Sequence, residues 1–264
     1  MLILLVAPAA GKPPKDKPGG GDDGSGTTTL SYQVVRLDTT DQDGQILEGE
    51  ARDINDARFV VGGVETSLDA QSVQKAAAWT ATEQEGQFAT EMRLLDDSAF
   101  SDQPTIAHGC NNFFEVVGSL GEVQAAYWSG PMGTLQRLPA SGPQSSASAI
   151  NNQGLISGFS GTLPELEATV WVFVNGQWLY LTLPHLGSRG QDQDGNPLPN
   201  RSFAQAIGEV DPTTSICLVA GTSNDSAALW TVVVNESGLS AGPAWTLDSG
   251  SEATALNNTG TVCG

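Results

Sequence analysis

"ASAINNQGLISG", residues 147–158, is the stretch on which the fold turns, because altered copies of it recur along the chain. Aligned on their last glycine, "ARDINDARFVVG" (51–62), "AHGCNNFFEVVG" (107–118) and "ATALNNTGTVCG" (253–264) share its Ala, its aliphatic or Cys residue, its Asn and its Gly at identical offsets. A fifth copy is stretched: Ala204 and Ile207 match, but Gly221 arrives six residues late. Self-similarity of this kind outranks local propensity as a guide to architecture.

Two further signatures follow each of the first four glycines in turn. The first is Ala-x-x-Trp, in "AAAW" (76–79), "AAYW" (125–128), "ATVW" (168–171) and "AALW" (227–230). The second is an aliphatic run closed by Leu and Asp or Pro, in "MRLLD" (92–96), "LQRLP" (135–139), "LYLTLP" (179–184) and "WTLD" (245–248), with "VVRLD" (34–38) ahead of the first unit. Each unit thus holds four short apolar segments separated by Asn, Asp, Gly, Ser and Pro clusters, the pattern of strands joined by turns. Asn-Asn-x-Gly suits a tight hairpin through residues that accept positive φ. Small Ala beside large Trp suits a layered core.

Measured from Leu37 to Leu95, Leu138, Leu183 and Leu247, the units span 58, 43, 45 and 64 residues. Four strands in some 40–50 residues make the blade of a β-propeller. The expected fold is therefore all-β, a propeller or partial propeller of about five four-stranded repeats, the last incomplete because no Ala-x-x-Trp segment follows Gly264. That missing strand points to a longer gene product or to a strand supplied by a neighbour.

The alternation of Ala-x-x-Ile-Asn-x-x-Gly-x-x-x-Gly, Ala-x-x-Trp and terminal Leu over residues 32–264 resembles the HAF-repeat family of bacterial extracellular proteins. That resemblance implies a propeller-like β structure and carries no assigned activity. The family's His-Ala-Phe before the Trp is replaced by Lys75-Ala76-Ala77, Gln124-Ala125-Ala126, Glu167-Ala168-Thr169 and Ser226-Ala227-Ala228. A role belonging to the family's His would therefore not carry over.

Residues 1–27 read as a signal-like leader, "LILLVAPAA", followed by a Pro/Gly/Lys/Asp tether, and 28–264 as the repeat domain. This places the protein outside the cell or in a bacterial periplasm. The formal charge is −19, and three of the four lysines (Lys12, Lys15, Lys17) sit in the leader. Such a balance opposes nucleic-acid and anionic-membrane partners, and no stretch is long enough to span a bilayer. Cys110 and Cys263 occupy repeat slots filled elsewhere by small apolar residues, so both are expected to be buried and unpaired.

Catalytic motifs are sparse. His108 falls in a slot that is polar in every copy (Arg52, Ser148, Gln205, Thr254) and is expected to face solvent; His185 opens a long loop without a nearby nucleophile motif. "DQDG" occurs twice, at 41–44 and 192–195. Closely spaced carboxylates with a glycine bend suit calcium, and in the first loop Asp41, Asp43 and Glu50 fall in an EF-hand-like register, whereas the second does not fit. Turn formation alone also accounts for Asp-Gly. Trp178, Tyr180 and Trp245 lie outside the repeated Trp slot and are candidates for stacking on a carbohydrate.

These observations favour a secreted or surface-exposed, non-enzymatic binding scaffold for a protein or carbohydrate ligand. The alternatives are a propeller-based polysaccharide hydrolase or lyase with carboxylates from different blades, and a purely structural segment of a larger surface protein.

Overall fold

The computed structural model describes residues 3–6, 33–40, 44–68, 71–85, 87–121, 123–235 and 238–264. Four four-stranded antiparallel sheets follow one another, each a meander in chain order. The strands are β1 (Ile3–Val6) and β2 (Gln33–Arg36); β3 (Gly49–Ile54), β4 (Phe59–Leu68), β5 (Gln71–Gln84) and β6 (Gln87–Leu94) of the first sheet; and β7 (Thr105–Cys110), β8 (Val116–Leu120), β9 (Gln124–Trp128) and β10 (Leu135–Arg137) of the second. The third holds β11 (Gln144–Ile150), β12 (Ile156–Thr162), β13 (Glu165–Val174) and β14 (Gln177–Thr182). The fourth holds β15 (Ser202–Ile207), β16 (Ile216–Ser223), β17 (Ser226–Asn235) and β18 (Gly238–Ser249), and β19 (Ala255–Leu256) pairs with β20 (Val262–Cys263) alone.

Each sheet leans on the next through its leading strand: β7 packs on β3, β4 and β5; β11 on β7, β8 and β9; β15 on β11, β12 and β13; β19 on β15 and β16. Because side chains three apart on a strand point to opposite faces, Ala-x-x-Trp sends Ala forward and Trp back. Ala76 and Ala78 of β5 accordingly share a core with Trp128 of the second sheet, and Ala125 of β9 shares one with Trp171 of the third. The small residue leaves room for the next sheet's indole.

Three hydrogen bonds recur at these interfaces. The indole N–H of Trp79, Trp128, Trp171 and Trp230 donates to the carbonyls of Asp38, Asp96, Pro139 and Pro184, which follow the closing Leu of the preceding unit. The N–H of Ala76, Ala125 and Ala168 donates to the hydroxyls of Thr105, Ser145 and Ser202 on the next leading strand. The side-chain amides of Asn55, Asn111 and Asn151 donate to the carbonyls of Asn111, Asn151 and Gly208.

The same asparagines accept two main-chain N–H groups of their own hairpin, as Asn151 Oδ1 does from Gln153 and Leu155. Positive φ falls on the fourth turn residue, Arg58, Phe114, Gly154 or Gly260, so Asn is present for its amide and not for a left-handed backbone. The repeated glycine has a different cause. A bulge after each Ala brings the strands together, and a Cβ on Gly62, Gly118, Gly158 or Gly221 would collide with the carbonyl of Glu50, Ile106, Ser146 or Phe203.

The stretched copy keeps this frame. Gly221 pairs with Ala204 as Gly158 does with Ala147, and the extra residues form a longer hairpin turn capped by the Asp211 carboxylate. β1 pairs with β2 in the register of a third and fourth strand: Ile3 faces Arg36 as Ala77 faces Leu94, in each case one residue before the closing Leu.

Two expectations are corrected. Cys110 and Cys217 are buried free thiols, but Cys263 is exposed, because β19–β20 lack the covering that the equivalent strands receive. For the same reason Leu247 is 45% exposed, against 2–6% for Leu37, Leu95, Leu138 and Leu183. His108, in the bulge slot, is half-buried: its Nδ1–H donates to the Ala147 carbonyl at 2.8 Å, and burial pushes its pKa below the usual histidine value.

Candidate functional site

A cleft of about 490 Å³ opens where the second and third sheets meet. The Asn-capped hairpins build two of its walls, contributing Phe113 and Glu115 from the second sheet and Asn152, Gln153 and Gly154 from the third. The remaining walls are Tyr127 on β9, Ser129 just after it, and the cross-strand pair Phe173 and Trp178 on β13 and β14.

Three of the aromatic rings, Tyr127, Trp178 and Phe173, form a connected group. Trp178 stands edge-on to Tyr127 with centroids 4.8 Å apart and tilted against Phe173 at 5.2 Å. Phe113 and Phe173 are 67% and 54% exposed, leaving much of both rings open to solvent at the cleft. Glu115 is held at both ends: Asn111 Nδ2 donates to Oε2 and the Tyr127 hydroxyl donates to Oε1, each at 2.6 Å. Burial, with that carboxylate beside it, pushes the Tyr127 phenol well above its ordinary range, so it stays a neutral donor.

The other polar walls are largely committed to the hairpin array. Asn152 accepts from Asn112 N and donates to Glu209, and Gln153 Oε1 accepts from Val210 N.

A second cavity, about 380 Å³, is lined by Glu165, Glu167, His185 and Asn200 among others. Glu165 and Glu167 sit two apart on β13, hence on one face, and His185 Nδ1 is buried with no hydrogen-bond partner. Burial lowers the His185 pKa, with the two glutamates acting against it. A wider opening, about 1200 Å³, is bounded in part by residues 45–48, next to a segment outside the described residues.

Of the predicted calcium ligands, Asp41 and Asp43 lie outside the described residues. Glu50 is on β3 with its Oε1 accepting from Arg52 at 2.7 Å. In the second "DQDG" loop the Asp192 carboxylate accepts from the Asn196 side-chain amide and from the N–H groups of Asn196 and Asp194, which holds its pKa low and closes the turn. Among the described residues no three His, Cys, Asp or Glu side chains gather as a cation site.

Lys75, just before the first Ala-x-x-Trp segment, is buried and donates to Asp97 and to the carbonyls of Ser101 and Gln103, a structural clasp. Of the three aromatics singled out in the sequence, Trp178 enters the cleft, Tyr180 borders a neighbouring opening, and Trp245 is a half-exposed strand residue opposite Leu229. Sequence reasoning missed Phe113, Glu115, Tyr127 and Phe173. One signal was available: the turn position of Phe113 holds Ala57, Gln153 and Thr259 in the other copies, so a large ring there has no hairpin role.

Comparison with protein-family models, with curated proteins and with solved structures gives no match. Among the described residues no helix is long and apolar enough to cross a membrane.

Proposed function

We propose that this chain is a secreted or surface-exposed bacterial repeat protein of the HAF-repeat type. In this reading its sheets are blades of a propeller and it serves as a non-enzymatic binding scaffold. The observation that carries the binding role is the cleft between the second and third sheets, where exposed Phe113 and Phe173 flank a fixed carboxylate. Rings left in water next to a shaped opening are what a ligand site requires, whereas the repeated Asn, Trp, Ala and Gly are all engaged in holding sheets together.

The ring reading draws support from register. β1–β2 stand as third and fourth strands and β19–β20 as first and second, so the two pairs together have the composition of one further blade, a reading in which Ile3–Val6 belongs to the repeat domain and not to the signal-like leader expected over residues 1–27. Such a ring would comprise five four-stranded units.

The test is a panel of immobilised glycans, peptides and small organic ions probed with the full chain and with its Phe113→Ala/Phe173→Ala variant. Retention of some member by the parent and loss by the variant, with both melting alike, supports the scaffold. Retention of nothing, or equal retention by the variant, overturns it.

A second reading rests on the Glu165–Glu167–His185 cavity, where a neutral histidine beside carboxylates could move protons on a polysaccharide. Reducing-end release from polysaccharides that disappears in His185→Ala would favour it over the scaffold.

A further inference from the structure

We propose that the cleft between the second and third sheets binds a quaternary ammonium group, a reading that rests on the cleft being a ligand site and names its ligand class.

Four rings and one carboxylate line the opening, and no lysine or arginine does. The faces of Phe, Tyr and Trp rings carry negative charge density and attract a cation set over them, most strongly when the cation has little water to lose. Glu115 adds a full negative charge, held in place by Asn111 and Tyr127 and engaged in none of the ion pairs among the described residues. The protein elsewhere does seat guanidinium groups on rings, Arg58 on Phe88 and Arg137 on Phe100, but neither reaches this cleft. The rings here are left without an internal cation.

The competing ligand classes fit less well. An anion would face Glu115 in a protein of formal charge −19. A neutral sugar presents many hydroxyls that need partners once dehydrated, yet Asn152 and the Gln153 oxygen already serve neighbouring hairpins, leaving few groups to receive them. A primary ammonium also demands hydrogen-bond acceptors and gives up tightly held water. A methylated ammonium demands neither. Its charge is spread over methyl groups that pack on rings, and the carboxylate beside them completes the attraction. The group could arrive on a free molecule such as choline or on the headgroup of a phosphocholine lipid; the shared chemistry is the trimethylammonium.

The experiment is titration calorimetry of the full chain with tetramethylammonium chloride, against sodium chloride and a neutral disaccharide. Parallel arms use choline and vesicles of phosphatidylcholine. Saturable binding of tetramethylammonium, about tenfold weaker in Phe173→Ala and in Glu115→Gln, is the expected result. Phe173 is half-exposed, so its variant should melt like the parent, and the Trp178 indole signal in a proton–nitrogen spectrum should move on binding even if Glu115→Gln fails to fold. Choline binding without vesicle binding assigns a free ligand; both binding assigns a headgroup. Disaccharide binding in place of tetramethylammonium overturns the ligand class while leaving the cleft a binding site. Binding of none of the probes overturns the assignment, and binding unchanged in both variants overturns the location.

Discussion

The side-chain amide of Asn111 lies 3.0 Å from the carbonyl oxygen of Asn151, one hairpin further along the chain, and Asn55 and Asn151 repeat the relationship with Asn111 and Gly208. The contact belongs to no single sheet. It joins a turn that Asn111 itself organises to the turn of the neighbour, so one buried residue sets both hairpin geometry and sheet spacing.

Asn111→Ala should therefore lower stability by about 2–3 kcal/mol, since it strands buried main-chain groups in two hairpins. Asn111→Asp keeps the oxygen that accepts from Phe113 and Glu115 but loses the donor and sets a carboxylate against the Asn151 carbonyl and Glu115. If the link between sheets matters, Asp will be no better than Ala in denaturant melts. If only the hairpin matters, Asp will behave like the parent.

The array stops at Gly208, which occupies the Asn slot of the fourth sheet without a side chain. An added Cβ there would meet Leu256 Cδ2 and Leu218 O at ordinary contact distances, 3.4 and 3.6 Å. Gly208→Asn should then reach the Asn257 carbonyl and raise stability by about 1 kcal/mol, some 2–4 °C in Tm by scanning calorimetry. An unchanged or lowered Tm would show that the lengthened hairpin holds this position out of register.

The indole links call for a different substitution. Trp171 is fully buried and its N–H donates to the Pro139 carbonyl at 2.6 Å. Trp171→Phe removes the donor and part of the volume and should cost about 2–4 kcal/mol, more than the bond alone, because the emptied space lies between two sheets. Equilibrium unfolding followed by circular dichroism measures this.

Much of this frame was legible beforehand, for a physical reason. Residues such as Gly158, Ala168 and Trp171 do the same job in every unit, so their spacing reports strand order, bulge and core layering together. What repetition cannot report is anything unique to one unit. Phe113 and Phe173 matter because their counterparts are not aromatic, and the pairing of Glu115 with Tyr127 joins a turn to a strand twelve residues away. His108 shows the converse error: its slot is polar in every copy, yet its ring folds back onto the Ala147 carbonyl and is half-buried.

Two glycines of one repeat separate steric from conformational need. Gly154 has φ +77° with no protein atom nearer than 3.9 Å to an added Cβ, so Gly154→Ala should cost only the left-handed backbone, about 1–2 kcal/mol. Gly158→Ala forces the methyl into the Ser146 carbonyl and must displace β11 from β12; it should cost clearly more and weaken the packing of the third sheet on the second. Equal losses in urea melts would contradict a bulge-enforced close approach.

His108 and Asp53 should give the fold a pH dependence of opposing sign. Burial holds the His108 pKa below 6.5, with Arg52 adding to the effect and the Ala147 bond and Glu50 opposing it. The unfolded chain then binds the proton more readily, so the stability tied to neutral His108 is present above pH 6.5 and falls away as pH drops below it. Asp53 is buried too, and burial raises its carboxyl pKa above 3.8 despite the N–H groups of Cys110 and Ile54 that it accepts. Its contribution is most favourable below pH 3.8 and declines as pH rises through the folded-state value. Asp53→Asn keeps an acceptor for Cys110 and removes the buried charge, so it should melt higher than the parent at pH 7, with the difference closing towards pH 4. His108→Gln should flatten the loss of Tm between pH 7 and 5. A parent profile unaltered by either substitution would mean that both groups titrate as they do in water, and that the leading strands open to solvent far more than this packing allows.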